Sequence, residues 1–390
     1  MKSKVAIAEC RTYRQEPAER AIETVLDLLG GWQEFVSPGE TILLKPNLLA
    51  RCEPEKACTT HPQIFAAAAR SLQKEGFENL LYGDSPGNHL MGTEQTAEGC
   101  GIRQEAEALG IGLADFSKGE KVMYPQGYEA DHFVLCSGVR SADAIINLCK
   151  MKTHQLERIT GAVKNTFGCV YGFNKAASHA RFPNADSFAK MIADLNLLVK
   201  PRLHIMDGVI AMEGNGPHSG EPMPMYVILA SADPVALDSV FCRLVDLDPA
   251  LVPTNVYGQE YGVGTYEEER IQILTEEGEV SMAEAVSKWG NADFNVERGA
   301  DFKGQLNAIR FLQPLLDRKP YVKKQLCVGC GICVQACPLE EKAIYLKNGK
   351  PAYRYRTCIK CYCCQEMCPE KAIDVKQGRL ARLADRNWKV

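Results

Sequence analysis

No apolar run in the chain approaches the eighteen or so residues that a membrane-spanning helix needs, so no membrane association is expected. The stretch Met1–Glu9 reads as a strand. Its apolar part is too short for a secretory leader and it has no twin-arginine pair, which predicts a cytoplasmic location. The phosphate-loop pattern GxxxxGK[ST] is absent, and Gly214-x-Gly216-x-x-x-Gly220 misses the dinucleotide fingerprint by one residue without a helical pattern behind it. Neither nucleotide hydrolysis nor a tightly held nicotinamide is expected. No HxH or HxxxH pair favours a histidine-bound metal ion. Hydrophobic residues make up 46% and charged residues 24% of 390, values of an ordinary globular chain with room for two to three domains.

Cysteine is the exception, with 17 residues. Without a leader these read as reduced thiols and metal ligands in a reducing, anaerobic-type setting. Nine of them fall in one duplicated segment: Cys327-x-x-Cys330-x-x-Cys333-x-x-x-Cys337-Pro338 and Cys358-x-x-Cys361-x-x-Cys364-x-x-x-Cys368-Pro369. Three thiolates at two-residue intervals suit three irons of one cubane, and the fourth, before proline, is carried to the other cubane. One 4Fe-4S cluster is therefore expected on Cys327, Cys330, Cys333 and Cys368, and a second on Cys358, Cys361, Cys364 and Cys337. The duplication continues through Lys342-Ala343-Ile344 and Lys371-Ala372-Ile373, so each unit is a cysteine loop followed by a short strand. This resembles the bacterial-type two-cluster ferredoxin fold over about residues 320–378. Zinc also uses CxxC pairs, but eight cysteines in this duplicated spacing favour cubanes. Cys363 is an extra thiol, either tuning the second cluster or simply a small buried residue.

The charge is uneven. Residues 321–390 hold 14 Lys and Arg against 6 Asp and Glu, and the rest holds 31 against 43. A basic cluster module on an acidic body predicts an acidic electron-transfer partner, a ferredoxin or flavodoxin. It lacks the interleaved aromatics of a nucleic-acid platform, so no nucleic acid is expected.

The first 250 residues alternate strand-like runs with amphipathic helices, which predicts an α/β body with a mostly parallel sheet and helices on both faces, plus a small α+β ferredoxin-like domain. The boundaries expected are 1–315 for the body, 316–325 for a basic linker, 326–378 for the cluster domain and 379–390 for a tail. Residues 301–324 contain a short helix pattern; the acidic residues 265–300 are a candidate cover for the sheet edge. In open α/β sheets ligands bind beyond the carboxyl ends of the strands. There the chain places Lys45-Pro46-Asn47, Thr59-Thr60-His61-Pro62, Gly83-Asp84-Ser85-Pro86-Gly87, Lys150-Met151-Lys152-Thr153-His154, Gly161-Ala162-Val163-Lys164-Asn165 and Asp207-Gly208. Four lysines and two histidines on one rim suit a carboxylate or phosphate.

Taken in order, with Gly214-Asn215-Gly216-Pro217 and Asp233-Pro234, these strings resemble the family called domain-of-unknown-function 362, over about residues 4–265. The resemblance implies cluster binding and a redox role and supplies no substrate. Lys45, Lys152, His154 and Lys164 are the candidate catalytic residues, because a histidine and crowded lysines titrate near neutrality. Asn47, Asp84, Ser85, Lys150, Asn165 and Asp207 are the candidate rim contacts for an anionic small molecule. Plainer roles stand beside these: Asp233 as a helix cap before proline, His61 as another cap, residues 83–87 and 207–208 as turns, and Cys52 and Cys58 as free thiols rather than a metal pair. The leading expectation is an iron–sulfur protein passing low-potential electrons to a ligand site on the body. The rivals are a ferredoxin-like carrier docking a partner oxidoreductase, and a non-redox enzyme with structural or sensing clusters.

Overall fold

The computed structural model describes residues 2–87, 92–299 and 318–376. The strands of the body are β1 (Ser3–Glu9), β2 (Ile42–Pro46), β3 (Leu80–Tyr82), β4 (Gly112–Leu113), β5 (Gly119–Met123), β6 (His132–Cys136), β7 (Ala144–His154), β8 (Arg158–Thr160), β9 (Leu203–Glu213), β10 (Glu221–Ser231), β11 (Ile271–Thr275) and β12 (Gly278–Val280). One mixed, mostly parallel sheet runs β12-β11-β1-β10-β9-β7-β2-β3-β4, with β8 folded back on β7, while β5 and β6 form a separate hairpin.

Alternation along the strands explains two covered faces. Ala6 and Ala8 of β1, with Ile42 and Leu44 of β2, point into one core, whereas Val5, Ile7 and Leu43 point into the cores on the other side. Strands apolar on both faces need helices on both. Gln15–Leu29 and Pro62–Lys74 cover the first face. Ala185–Val199 and Pro234–Leu244 cover the second. Local chemistry sets their ends: Gly30 closes the first helix at φ 103°, where glycine carries no Cβ penalty. His61 Nδ1 accepts from the Gln63 amide, and Asp233 accepts from the Val235 and Ala236 amides.

Two expectations need correction. Lys150, Lys152 and His154, expected beyond the carboxyl end of a strand, instead stand on β7 itself, all buried; the β8 hairpin and β9 supply the ladder partners that sustain it. β9 likewise runs on through Asp207 to Glu213. β10 enters the sheet antiparallel to both β1 and β9. Residues 265–300, which the sequence left unplaced, add β11 parallel to β1, then β12 and the helix Met282–Trp289.

The C-terminal module holds β13 (Lys319–Val322) paired with β16 (Ile373–Lys376), and β14 (Ile344–Lys347) paired with β15 (Lys350–Tyr353). Each cysteine loop is thus followed by a short strand. Lys319–Val322 falls within the segment expected to be linker but is a strand; Pro320 fits an edge position that does not require its missing N–H. The helix pattern in residues 301–317 and the tail 379–390 lie outside the described residues. No described helix is long and apolar enough to cross a membrane.

The module is keyed to the body by a side chain from the second cysteine loop. Gln365 is fully buried, and its Nε2 donates to Asn215 O, Asn215 Oδ1 and Gly216 O, while Asn215 donates back to Ile373 O. Gln365→Leu leaves those acceptors without their donor. Hydrogen exchange is expected to rise on the order of tenfold along residues 214–221 and 372–376, with β2 and β7 unchanged.

Candidate functional site

A cavity of about 100 Å³ lies where this contact is made. Its walls include Asn47, Lys152, Thr160, Lys164, Lys175 and His179 from the body, and Cys363, Glu366 and Met367 from the second cysteine loop. At roughly 10–15 Å³ per water on this measure it has room for a small polar molecule.

Lys45, at the end of β2, is wholly buried, with its Nζ 2.8 Å from Asp84 Oδ1; Asp84 Oδ2 accepts from the Leu48 amide. Gly168 lies against this pair: a Cβ there would sit 1.7 Å from Asp84 Oδ1 and 2.8 Å from Lys45 Nζ. Asp84 and Ser85 occupy the segment following β3, and Lys175 donates to the carbonyls of Ser85 and Pro86. Lys152 donates to Asn47 Oδ1 at 3.0 Å and to Cys58 O at 2.6 Å. An ammonium has three N–H groups, and the third is left for the cavity. Asn47 Nδ2 in turn donates to Asn165 Oδ1, and Asn165 to Asn147. Burial pulls Lys152 and Lys175 down to about 8.

His154 is fixed as a neutral ring. Its Nδ1 accepts the Leu156 and Glu157 amides, which leaves the ring proton on Nε2, 2.9 Å from Glu366 Oε1. Burial, helped by Lys164, holds it down at about 4. Burial works against the Glu366 carboxylate, but the His154 N–H and Lys164 keep it below the ordinary carboxylate range. Burial likewise lowers His179 to about 4. Its Nδ1 and the Thr160 hydroxyl have no hydrogen-bond partner among the described residues. Lys164 lies 5.9 Å and 6.0 Å from the ring centres of Phe167 and Phe188 and forms no salt bridge among the described residues. Three lysines (152, 164 and 175) line the cavity against two carboxylates, Asp84 and Glu366, and Lys45 stands behind Asp84 as its ion-pair partner.

Lys150 and Asp207 do not line this space. They pair with each other at 2.7 Å, with Tyr13 bridging them and stacking on His61. Lys175, His179, Thr160 and Glu366 were not among the expected residues. A faint signal existed for two: Lys175 and His179 are four apart on the helix Gly172–Arg181 and so share a face. Glu366, between two cysteines of a cluster motif, offered none.

Lys164 and Asn165 are held by a helix start that rests on Asp238. Its two carboxylate oxygens accept the Ala162 and Val163 amides at 2.6 Å and 3.1 Å, and Gly161 must be glycine because a Cβ would lie 2.0 Å from Asp238 Oδ1. Burial pushes Asp238 up to about 7. A carboxyl group raised on folding makes the folded state bind the extra proton. Stability therefore falls as pH rises from the ordinary aspartate range to about 7, and levels off above. Between about pH 5.5 and 7 the expected loss is about 1–2 kcal/mol, and Asp238→Asn should flatten that slope in urea unfolding curves.

In the cluster module, Cys327, Cys330, Cys333 and Cys368 together border one small cavity. Cys358 neighbours Cys361 and Cys337. Cys368 thus lies with the three cysteines of the first repeat and Cys337 near those of the second, the proximity that a crossed fourth ligand requires. No three described side chains converge tightly enough for a single metal ion, whereas a cubane spreads its four thiolates over a larger volume. The residues fit 4Fe-4S clusters. Cys363, buried, faces the body cavity instead. Cys52 and Cys58 meet in a small buried cluster with Ala57 and Met212, where sharing one proton raises Cys52 and lowers Cys58.

A family model described as a domain of unknown function (DUF362) matches residues 42–243, and one described as a 4Fe-4S dicluster domain matches residues 319–369. A thylakoid-associated protein of Synechocystis sp. is 35% identical over 264 residues, 67% of this chain and 81% of that protein. Among solved structures, the lactate racemase apoprotein from Thermoanaerobacterium thermosaccharolyticum aligns at TM-score 0.41 and 12% identity, over 63% of this chain and 57% of that one.

Proposed function

The chain belongs to the domain-of-unknown-function 362 family and has an iron–sulfur module of the 4Fe-4S dicluster type, and from that premise we propose that it transfers electrons to a small anion held at the junction of its two modules. The observation that carries this reading is the shared cavity: body lysines form one wall and the second cysteine loop forms the other. When bound, two clusters would supply low-potential electrons one at a time.

The chain's own residues hold the ligand. Lys164 and the free N–H of Lys152 meet its negative charge, with a water-poor wall strengthening each contact. Thr160 and His179 offer the unpartnered polar atoms. Lys45 acts at one remove, fixing Asp84, and Asn47 and Asn165 hold Lys152 and the Lys164 helix in register. Lys150 and Asp207 buttress the neighbouring strands and touch no ligand in this reading. A lysine near 8 is suited to delivering a proton as an anion accepts electrons, whereas the neutral histidines offer hydrogen bonds only.

The test uses holo-protein purified without oxygen and two probes, inorganic phosphate and oxalate. At concentrations well above Kd, a bound anion raises Tm by mass action. The rise is expected for at least one probe in the wild type and should vanish in Lys164→Met. If neither probe stabilises the wild type, the body serves as a dock for a partner oxidoreductase and the small-anion reading is wrong.

A further inference from the structure

The two cysteine loops are unequal in a way that gives the electron path a direction. In the second loop Cys361 and Cys364 are buried, and Cys363, Gln365 and Glu366 are committed to the body. The first loop is the more open: Cys330 is exposed where its counterpart Cys361 is buried, while Cys327 and Cys358 are both half-buried. Around it stand three of the large exposed apolar side chains of the described structure, Leu326 at 48%, Val328 at 65% and Leu346 at 47%. The loop that carries the first two and the turn beside the third are neighbours. A Cβ on Gly331 would lie 3.8 Å from Leu346, a Cβ on Gly329 would lie 2.5 Å from Gly349 O, and Lys350 donates to Cys327 O. The turn between β14 and β15 therefore lies against the first loop and forms one apolar face with it.

Its edge is basic. Lys324 and Lys347, close in the chain to Leu326 and Leu346, are exposed, and Lys350, half-buried, reaches Cys327 O. Glu370 borders the same cysteines, but residues 318–376 carry 12 Lys and Arg against 5 Asp and Glu. An exposed apolar centre with a rim of one sign is the anatomy of a transient protein contact, the rim steering a partner of opposite charge.

We infer that this face, built from Leu326, Val328, Leu346, Lys324 and Lys347, docks an acidic one-electron carrier protein that loads the first cluster, the second passing electrons inward to the cavity. The inference rests on the electron-transfer reading and names its donor and its side of approach. The balance is simple: each docking moves one electron from the reduced carrier to the first cluster, and no bond is made or broken.

The experiment takes the full-length holo-protein and an acidic [2Fe–2S] ferredoxin as probe. Binding of oxidised ferredoxin is measured by calorimetry, and cluster reduction by reduced ferredoxin or by titanium(III) citrate is followed by stopped-flow absorbance. Val328→Glu/Lys347→Glu is expected to weaken binding and slow ferredoxin-driven reduction at least tenfold, leaving titanium-driven reduction within twofold. Val286→Glu, an exposed apolar site on the body, should change neither. Wild-type rates should fall steeply with salt. Unchanged ferredoxin binding in the double variant, or an equal loss in Val286→Glu, overturns the inference. Neither readout depends on a ligand in the cavity, so the phosphate and oxalate result can fail while this one holds, and the reverse.

Discussion

Cys327→Ser combined with Cys368→Ser should cost the protein one cluster, and Cys358→Ser combined with Cys368→Ser should cost it both. The reason is the crossing of the fourth ligand. Cys368 lies in the second repeat but borders the same small cavity as Cys327, Cys330 and Cys333, so the first pair of substitutions damages one cage twice and the second pair damages two cages. Iron counted by native mass spectrometry is expected near half of the wild-type value in the first variant and near zero in the second. The reverse ranking would mean that each repeat closes its own cage. The effect is large because the cluster cysteines are also the core: Cys333, Cys337, Cys364 and Cys368 pack with Ala343, Ile344, Ala372 and Ile373, and few other apolar groups are available to replace them.

Lys45→Met should be the most destabilising single substitution of a charged residue in the body. It leaves Asp84, 3% exposed, with its Oδ1 stripped of the only cation within salt-bridge distance among the described residues. Removing one member of a buried pair costs about 3–5 kcal/mol, and a fall in Tm on the order of 10 °C is expected. Adding Asp84→Asn should recover more than half of the loss, because the amide keeps an acceptor for the Leu48 N–H while removing the orphaned charge. If the double variant is no better than the single one, the cost lies in the lysine's packing rather than in the pair. The same logic applies to Lys150 and Asp207, wholly buried and 2.7 Å apart.

What the sequence made legible follows from how far each interaction reaches along the chain. The iron–sulfur spacing is written within eleven residues of each repeat, and the duplication repeats it, so the 4Fe-4S module and its short strands could be read. The two-faced sheet was legible because Ala6 and Ala8 alternate with Val5 and Ile7. The ends of β7 and β9 were not. Lys150, Lys152 and Asp207 look like loop residues until their partners are known, and those partners lie 57 residues apart for Lys150 and Asp207, and 105 for Lys152 and Asn47. Asp233 and His61 were correctly legible as caps because capping is a two- or three-residue affair. Glu366 lies at the other extreme. Its meaning depends on the docking of two modules, which no local pattern encodes.

That docking has a cellular consequence. One wall of the cavity, the stretch from Cys363 to Met367, belongs to a cysteine loop of the 4Fe-4S module, so on the proposed reading the ligand pocket depends for its shape on a loaded cluster. A cell short of iron, or one whose clusters have been destroyed by oxygen, accumulates a chain whose pocket has lost its roof. If the proposed function holds, such a chain loses its grip on the small molecule together with its means of reducing it.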